Sequence, residues 1–534
     1  MTRQGLVAAT AAALLAGALV AGTSPADAHQ APKPHAQRLA PRTHFTMKPD
    51  GSSGLTQGGE GIPNIDSVKS TIRTYYNATN GIADKTSSPY ISEMKAIEAR
   101  ELRSLPRIYA QAKRHHQRPA IVFDADDTTL WTYDMEDGAM KFNYDPTLQN
   151  EWVQDARFPA TPGMVSLVNK AAKMGFAIFG ITGRTADQEP ATLTNLADVG
   201  YTPFDADNFY TKWNSGDAPP AYVSCVSTCT TVEYKAYTRK HIERLGYDIV
   251  LNVGDQWSDL QGGYADRTLK LPNPTYYLPS ADLPGLKEPW LAPRTHFTMK
   301  PDGSSGLTES GEGIPNSDSV KSTIRTYEGA TSAGISDKDD SPYIDEMASV
   351  VRHWKPRLVS ECSRLSARGA KPAIVFDADD TTLWTYDMED GAMKFNYDPA
   401  LQDVWVQNEQ FPATPSMVGL VNAVGDAGCT IVGLTGRNDA QKDATLGNLA
   451  KVGYEGFTPE NYYTKWVSGA TPPAYVDCGS DNSCSTIEYK SQTRKHVAAE
   501  GYRIVANLGD QYSDLIGGYA EHPIKLPNPT YYLP

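Results

Sequence analysis

The chain contains 534 residues, more than one hydrophobic core usually organises, so its length favours two or more domains and excludes a single small binding module. Hydrophobic residues make up 40% and charged residues 21%, as in globular proteins rather than disordered or fibrous ones. The 49 basic and 63 acidic residues give a net charge of −14, and without long basic runs such a chain is a poor candidate for binding nucleic acid or an anionic membrane.

The first 28 residues have the pattern of an export signal. Arg3 precedes an apolar run over residues 6–20, and Ala-Asp-Ala at 26–28 forms a small-x-small cleavage site before His29. The alternative, a membrane anchor, needs about 20 apolar residues and a charged flank that stops transfer. We predict that the signal peptide 1–28 is removed and that the mature protein is secreted, into an extracellular setting where disulfides persist.

The rest of the chain is one unit written twice. Residues 119–146 are identical to residues 372–399, and similar matching extends over most of both halves. A unit of about 240 residues is far longer than the repeat of a solenoid and suits a globular domain. We predict one domain at 39–279, a linker at 280–290 and a second domain at 291–534.

Each copy opens with a segment rich in Gly, Ser and Pro, at residues 48–63 and 300–315. This composition is typical of extended, irregular chain rather than of a helix or a strand. We call these two segments the straps; the sequence alone gives them no role.

Short apolar runs then alternate with segments of helical pattern, which predicts an α/β fold with a parallel, doubly wound sheet in each copy. Thr161 and Pro162 are typical of a helix N-cap and first helical position, and Gly175 of a helix end after Met174. Ligands of such sheets bind at the carboxyl ends of the strands. The elements predicted in copy one are strand 120–123, helix 161–174, strand 176–181, helices 192–199 and 232–245, and strand 248–253.

Polar side chains follow three of these strands. Asp124 and Asp126 come directly after the first strand, and their i, i+2 spacing in extended chain lets both face one pocket. The second strand leads into Thr182, and the last into Asp255 and Asp259. A cluster of carboxylates needs a hard cation to offset its charge, and Mg²⁺ prefers oxygen ligands of this kind. The alternative is that these are solvated carboxylates of surface turns.

The order of these motifs resembles the haloacid dehalogenase-like (HAD) superfamily, and within it the secreted or plant-type acid phosphatases of the class B or subfamily IIIB kind. The motifs are D-x-D-x-T from Asp124, T-G-R from Thr182, Y-K ending at Lys235, and G-D-x-x-x-D ending at Asp259, followed by K-L-P-N-P. D-x-D-x-T alone is a weak signal, but four motifs in order are specific. The resemblance covers nearly all of each copy and implies two tandem Rossmann-like domains with small caps.

The resemblance also implies roles for these side chains. Asp124 would attack phosphorus and carry an aspartyl-phosphate, while Asp126 would protonate the leaving oxygen and later take a proton from water. Thr182 would donate a hydrogen bond to a phosphoryl oxygen. Lys235 would neutralise the transferring group and keep Asp124 ionised.

The implied magnesium site in copy one consists of Asp124, the backbone carbonyl of Asp126, Asp255, and Asp259 as an additional or outer ligand. Two residues are inserted in copy two before the third motif, so the numbering offset there is slightly larger. The counterparts in copy two are Asp377, Asp379, Thr435, Lys490, Asp510 and Asp514.

Two assignments have rivals. Lys235 fits the third motif, but Lys212 in Tyr-Thr-Lys-Trp is an alternative, and the other lysine would then be an ordinary surface residue. Arg184 and Arg437 are candidates for substrate binding, since a guanidinium can hold two phosphate oxygens at once. The alternative is that each is an ion-pair partner after the strand end.

The insert between the first and second motifs, residues 131–161, is too short for a large mobile cap, which predicts an open pocket that accepts varied leaving groups. Its aromatic residues either line that pocket or pack a small satellite core. They are Trp131, Tyr133, Phe142 and Tyr144.

The six cysteines suggest three disulfides. Two pairs, one in the same loop of each copy, are predicted to be bridged; zinc is the alternative, although no set of four Cys and His residues has finger-like spacing. A further pair occurs in copy two alone, where copy one has Tyr109 and Phe176. The predicted bridges are Cys225–Cys229, Cys478–Cys484 and Cys362–Cys429.

The predicted function is an exported, Mg²⁺-dependent acid phosphatase, a hydrolase that acts on small phosphate monoesters through an aspartyl-phosphate. Each copy has the complete motif set and is long enough to fold alone, so we predict two independent active sites. The alternative is a non-catalytic storage or cell-surface protein on the same fold, which a missing nucleophile would favour; both nucleophile positions are aspartate. No nucleic-acid, membrane or protein partner is indicated for the mature chain.

Overall fold

The structure is a computed structural model that describes residues 53–225, 229–278, 306–479 and 484–533. The predicted export signal and linker lie outside the described residues. No helix among the described residues has the length and apolar character needed to cross a membrane.

The two copies have the same order of elements. In copy one they are α1 (Ile65–Tyr75), α2 (Pro89–Arg114), β1 (Pro119–Phe123), a π-helix (Asp134–Ala139), α3 (Pro146–Gln154), α4 (Met164–Met174), β2 (Ala177–Thr185), a 3₁₀ turn (Ala186–Gln188), α5 (Glu189–Asp198), β3 (Phe209–Lys212), α6 (Thr231–Arg244), β4 (Asp248–Gly254), α7 (Trp257–Leu260) and β5 (Thr268–Lys270). In copy two they are α8 (Ser317–Tyr327), α9 (Pro342–Ser366), β6 (Lys371–Phe376), a π-helix (Asp387–Ala392), α10 (Pro399–Gln407), α11 (Met417–Asp426), β7 (Thr430–Asn438), a 3₁₀ turn (Asp439–Gln441), α12 (Lys442–Lys451), β8 (Tyr462–Lys465), α13 (Thr486–Ala499), β9 (Tyr502–Gly509), α14 (Tyr512–Leu515) and β10 (His522–Lys525).

Each copy forms a parallel sheet, which confirms the predicted α/β fold class. Within the described residues the strand orders are β3-β2-β1-β4-β5 and β10-β9-β6-β7-β8. The first strand of each copy is central and entirely apolar between its proline and its final phenylalanine, as expected for a strand covered on both faces. Because β2 and β4 flank β1 on opposite sides, the carboxyl ends of these three strands meet where the strand order reverses.

Side chains of β1 alternate between two separate cores. Ile121 and Phe123 belong to the large core that includes residues of α2 and α4, whereas Ala120 and Val122 belong to a smaller core with residues of α6. Helices therefore cover both faces of the sheet, as the doubly wound prediction requires.

Helix α4 begins later than predicted. The first helical residue is Met164, and the N-cap is Gly163 with φ +80°, so Thr161 is not the cap. The Thr161 amide instead donates to the carbonyl of Thr129, and the Thr161 carbonyl accepts from the amide of Met164 in a turn. This long-range bond to Thr129 fixes the turn and delays the helix; Gly175, with φ +100°, ends it as predicted.

Strand β2 is longer than predicted and includes Thr182, and the short strands β3 and β5 were not predicted at all. β3 has four residues and β5 three, too few to show a period of two in the sequence. Both lie at sheet edges, where register is set by the neighbouring strand.

Most of the aromatic residues of the insert pack a core rather than line a pocket. Trp131, Tyr133 and Phe142 are buried, whereas Tyr144 is 69% exposed. The Tyr133 hydroxyl donates to Asp137 at 2.8 Å within the π-helix. The satellite-core alternative therefore applies to three of these four rings.

All six cysteines are paired as predicted: Cys225–Cys229, Cys362–Cys429 and Cys478–Cys484. The zinc alternative is thus wrong. Cys362 lies in α9 and Cys429 immediately precedes β7, so this bridge ties the helix before the first strand to the second strand. In copy one, the rings of Tyr109 and Phe176 pack edge to face at this position, 5.1 Å between centroids.

Candidate active site

The loop after β1 turns sharply and presents its carboxylates at the sheet edge. Asp124 continues the strand through its amide, which donates to the carbonyl of Val253 at 3.1 Å. The amides of Thr129 and Leu130 then return to the carbonyl of Ala125 at 2.9 and 2.8 Å. Asp127 adopts φ +48°, the left-handed conformation that closes this turn.

Lys235 contacts the predicted nucleophile. Helix α6 begins with a capping box between Thr230 and Glu233, which places Lys235 in the next turn. Its Nζ lies 2.7 Å from Asp124 Oδ1 and 2.5 Å from Asp259 Oδ1, and all three side chains are buried. The structure therefore brings Lys235 to Asp124.

The rival Lys212 is at the end of β3, and its Nζ donates to the backbone carbonyl of Cys229 at 3.4 Å. Lys465, its counterpart in copy two, donates to the carbonyl of Cys484 at 3.0 Å. Both lysines thus bind the disulfide loop of their own copy. The geometry favours Lys235 over Lys212 as the lysine of the site.

Burial dominates the electrostatics of this cluster. It raises the pKa of Asp124 well above its usual range; Lys235 acts in the opposite direction, while Asp259 and Asp255 raise the pKa further. Burial alone would lower the pKa of Lys235, but the charges of Asp124 and Asp259 raise it above its usual value. Lys235 is therefore a cation at neutral pH, and one ammonium faces several carboxylates.

Asp255, at the end of β4, is surrounded by hydrogen-bond donors. Its Oδ2 accepts from Asn273 Nδ2 and Gln256 Nε2, both at 2.8 Å, and from the Tyr276 hydroxyl at 3.2 Å. Burial, and then the charge of Asp259, raise the pKa of Asp255 to about 6 despite these donors. The donors fix the orientation of the carboxylate.

Asp259 is held by Lys235 and by the backbone. Its Oδ2 accepts from the Gln256 amide at 2.8 Å, and a side chain at residue 254 would come within 2.3 Å of its Cβ, which explains the glycine of the G-D-x-x-x-D motif. Both oxygens of Asp259 therefore already accept hydrogen bonds. This arrangement suits the outer position that the sequence suggested for it.

The donor set fits a hard divalent cation. One carboxylate oxygen each from Asp124, Asp255 and Asp259 lies within 4.8 Å of the others, and all three residues are buried. Oxygen donors of this number and charge are those that Mg²⁺ prefers. The equivalent cluster in copy two consists of Asp377, Asp510 and Asp514.

Thr182 lies level with the loop that carries Asp124 and Asp126. Gly180 pairs with Phe123 in the sheet, so Thr182 is two residues beyond the last paired position of β1. Its side chain is fully buried, and its Oγ1 accepts from the amide two residues further on at 3.2 Å. Its hydroxyl hydrogen is thus free of that bond, and its contact with phosphate remains a prediction.

Arg184 forms an ion pair with Asp126. Its Nη2 lies 2.6 Å and its Nε 3.1–3.2 Å from the carboxylate oxygens of Asp126, and its Nη1 donates to Thr192 at 2.9 Å. The Arg184 side chain is 1% exposed and that of Asp126 26%. This geometry matches the ion-pair alternative, and Arg437 holds Asp379 in the same way. Direct binding of phosphate by either arginine stays a prediction.

We expect Arg184→Lys to lower the kcat of copy one by roughly 10²-fold, because one ammonium cannot hold both oxygens of Asp126 and this predicted proton donor then loses its orientation. The measurement is made in an Asp377→Asn background, so that turnover comes from copy one. KM should change little. A large rise in KM at unchanged kcat would instead restore the substrate-binding role.

Two further residues of the site escaped prediction. Asp127 is 1% exposed and accepts from the amide and hydroxyl of Thr132 at 3.0 and 2.5 Å. Asn273 bridges Asp255 and Asp127 through its Nδ2, at 2.8 and 3.3 Å. Burial, and then the charge of Asp255, raise the pKa of Asp127 to about 8. The signal was present: Asp127 is inside the first motif and Asn273 inside K-L-P-N-P.

Comparison with known proteins agrees with this geometry. A family model described as "HAD superfamily, subfamily IIIB (Acid phosphatase)" matches residues 69–279 and 343–534, one match in each copy and together most of the chain. The chain belongs to this family. The two matches lie on the two parallel sheets, which supports two tandem HAD-type units.

Several curated plant proteins are similar to part of the chain. It is 36% identical over 174 residues to the stem 28 kDa glycoprotein of Glycine max, covering 32% of this chain and 64% of that protein. It is 32% identical over 164 residues to acid phosphatase 1 of Solanum lycopersicum (30% and 58% covered) and 33% over 162 residues to vegetative storage protein 1 of Arabidopsis thaliana (30% and 55%). The chain thus spans 55–64% of the length of these three relatives.

The second copy has the same arrangement of side chains. Lys490 Nζ lies 2.8 Å from Asp377 Oδ1 and 2.6 Å from Asp514 Oδ1, and Arg437 Nη2 lies 2.6 Å from Asp379 Oδ1. Both sites therefore combine a buried carboxylate in contact with an ammonium and a second, partly exposed carboxylate oriented by arginine. The other counterparts are Thr435, which is fully buried, and Asp510.

Proposed function

We propose that the chain is a secreted, Mg²⁺-dependent acid phosphatase with two active sites, each hydrolysing small phosphate monoesters through an aspartyl-phosphate. The observation that carries this proposal is the contact of Lys235 with Asp124, repeated by Lys490 and Asp377. A buried carboxylate paired with a lysine is an activated nucleophile, since the neighbouring cation favours its ionised form.

In the first step, an oxygen of Asp124 forms a bond to phosphorus while the bond from phosphorus to the leaving oxygen breaks. Asp126 donates a proton to that leaving oxygen, which departs as an alcohol. Its position suits this task, because its side chain is partly exposed at the rim while the nucleophile beneath is buried. Lys235 and Thr182 stabilise the charge on the transferring phosphoryl group.

In the second step, water attacks the same phosphorus atom and the bond to Asp124 breaks. Asp126, now ionised, takes the proton from that water and returns to its starting state. Arg184 holds the Asp126 carboxylate in place through both steps. The products are inorganic phosphate and regenerated Asp124, so atoms and charge balance.

Asp124, the backbone carbonyl of Asp126 and Asp255 would hold Mg²⁺, with Asp259 in an outer position. The cation offsets the charge of the carboxylates and of the phosphoryl oxygens when it is bound. Asn273, Gln256 and the Tyr276 hydroxyl orient Asp255 for this purpose. Such outer partners are needed to fix a metal ligand.

Export is part of the proposal. The signal pattern of residues 1–28 and the three disulfides of the described chain both suit an oxidising compartment. We propose small phosphate esters as the substrates, because the insert of each copy is too short to form a large cap and its tyrosine, Tyr144 or Tyr397, is exposed.

The second candidate is a storage protein on the same fold, which the name of the Arabidopsis relative favours. Turnover of p-nitrophenyl phosphate by the purified full chain in Mg²⁺ distinguishes the two, and we expect hydrolysis. The control is the Asp124→Asn, Asp377→Asn chain prepared in parallel. Equal, background-level rates for the two preparations would reject the enzyme and leave the storage protein.

A further inference from the structure

The two copies hold each other through their N-terminal helices. Asn64 caps α1: its Oδ1 accepts from the amides of Asp66 and Ser67, while its Nδ2 donates across to copy two, to the carbonyls of Asn528 at 3.2 Å and Tyr531 at 2.5 Å. The neighbouring amide of residue 65 donates to the carbonyl of residue 529 at 2.9 Å. The start of α1 therefore binds the final segment of the other copy.

The opposite contact has the same form. Asn316 caps α8 and donates through Nδ2 to the carbonyls of Asn273 at 3.1 Å and Tyr276 at 2.5 Å in copy one. The amide of Ser317 donates to the carbonyl of Pro274 at 2.8 Å. Asn64 and Asn316 are both 7% exposed, so these amides are buried donors whose partners are in the other copy.

The segments that are held in this way carry the partners of the metal ligands. In copy two, the side chain of Asn528 donates to Asp510 at 2.8 Å and to Asp380 at 3.2 Å. In copy one, Asn273 does the same for Asp255 and Asp127. The backbone of each of these asparagines is thus held by the opposite copy, while its side chain orients carboxylates of its own copy.

A second link joins the copies at the insert. The ammonium of Lys69 donates to the backbone carbonyl of Phe395, and that of Lys321 donates to the carbonyl of Phe142. Both lysines are buried, at 5% and 6% exposure. Each insert is therefore held from the opposite copy as well.

The straps also form hydrogen bonds between the two copies. The amide of Leu55 donates to Glu346 of copy two at 2.9 Å, and the amide of Leu307 donates to Glu93 of copy one at 3.1 Å. A Cβ on Gly54 would come within 2.8 Å of the Tyr327 ring, so glycine is required there by close approach and by its φ of +108°. Gly306 of the other strap approaches the Tyr75 ring in the same way, so these two glycines have a structural reason.

We propose that each copy completes the active site of the other: Asn64 is a positioning residue for the metal ligand Asp510, and Asn316 for Asp255. The proposal rests on the proposed function for its kinetic test, but not for its metal-binding test. Loss of an outer partner of a metal ligand typically lowers metal affinity or activity 10- to 100-fold. Asn64 and Asn316 act through the backbone of such partners, so the lower end of this range, about tenfold, sets the expected effect.

The test uses the full chain with one site silenced at a time. In the Asp124→Asn background, where only the site of copy two is active, Asn64→Ser should raise the Mg²⁺ concentration for half-maximal activity about tenfold. In the Asp377→Asn background, where copy one works, the same change should leave this concentration unaltered. Serine is chosen because it is as good an N-cap as asparagine but lacks the Nδ2 donor.

Three comparisons make the test specific. Asn316→Ser should give the crossed result, affecting copy one and sparing copy two, and Ser70→Ala on the exposed side of α1 should affect neither. Mn²⁺ binding followed by electron paramagnetic resonance should show an affinity about tenfold weaker at the affected site. An effect of Asn64→Ser in its own copy, or in neither, would overturn the proposal.

Failure of the proposed function has a different signature. If neither silenced background hydrolyses p-nitrophenyl phosphate before the Asn64 change, the phosphatase proposal fails. Mn²⁺ affinity then still decides the positioning role, because it requires no turnover. An unchanged Mn²⁺ affinity after Asn64→Ser and Asn316→Ser would reject it.

Discussion

Removal of divalent cations with EDTA should abolish phosphate release by the full chain, and Mg²⁺ should restore it. Asp124, Asp255 and Asp259 lie within 4.8 Å of one another in a buried cluster, with the Lys235 ammonium in contact with two of them. Without a cation this negative charge repels a phosphate dianion, and burial together with the neighbouring carboxylates raises the pKa of Asp124, which disfavours its ionised, nucleophilic form. The measurement is p-nitrophenol release before and after chelation.

Thermal unfolding gives an independent readout of the same cation. A ligand that binds the folded state alone stabilises it by about 2.7 kcal/mol at 100 times its Kd, so Mg²⁺ should raise the Tm. An Asp255→Asn, Asp510→Asn chain should lose most of this rise, while Glu151→Gln on the exposed side of α3 should keep it. Full turnover by the chelated protein would remove Mg²⁺ from the mechanism.

The parts of the site that sequence predicted are those fixed by local pattern and sheet geometry. Asp124 and Asp255 each follow a buried strand, and Thr182 lies in the last half of another. Parallel strands bring such positions to one edge whatever their separation in the chain. Lys235 was assigned because it fits the third motif of the family at the start of a predicted helix, and the structure has this helix begin with a capping box at Thr230. The order of the four motifs then indicated the acid phosphatases of the HAD superfamily.

The parts that the sequence left open or missed depend on contacts between distant residues. The orientation of Arg184 toward Asp126 is a choice between two partners of the same charge, and sequence spacing does not distinguish a carboxylate from a phosphate. The late start of α4 follows from the hydrogen bond of Thr161 to Thr129, which a local N-cap pattern does not reveal.

The hydrogen bonds between the two copies were the feature that the sequence could predict least. Duplication establishes that two similar units exist, but not how they face each other. Asn64 contacts residues 464 and 467 positions away, and its own sequence context predicts an N-cap and nothing more. The sequence therefore predicted two independent units. In the structure, the N-cap asparagine of each copy binds backbone carbonyls of the other copy, next to the residues that contact its carboxylate cluster.

Replacing both nucleophiles should produce the largest loss of activity. Asp124→Asn keeps the shape of the side chain but removes the negative oxygen that forms the bond to phosphorus, and Asp377→Asn does the same in copy two. The double variant should lose turnover by roughly 10³-fold or more, as expected when a covalent nucleophile is removed. Acid-quenched reactions with radiolabelled phosphate ester should show labelled protein for the wild type and for each single variant.

The single variants should have rates that sum to the wild-type rate, even though the copies support each other. Asp124 contacts Lys235 and Thr129 within its own copy, and neither the Asn64 nor the Asn316 exchange passes through it, so its replacement leaves the other site intact. Circular dichroism and Tm establish that each variant is folded. A single variant without any activity would mean that the copies are coupled through the chemistry itself or that the other site is inactive. A double variant with substantial turnover would exclude the aspartyl-phosphate, and with it the roles proposed for Asp126 and Asp379, because those roles are to protonate the group that Asp124 or Asp377 displaces and to activate the water that releases phosphate from these aspartates.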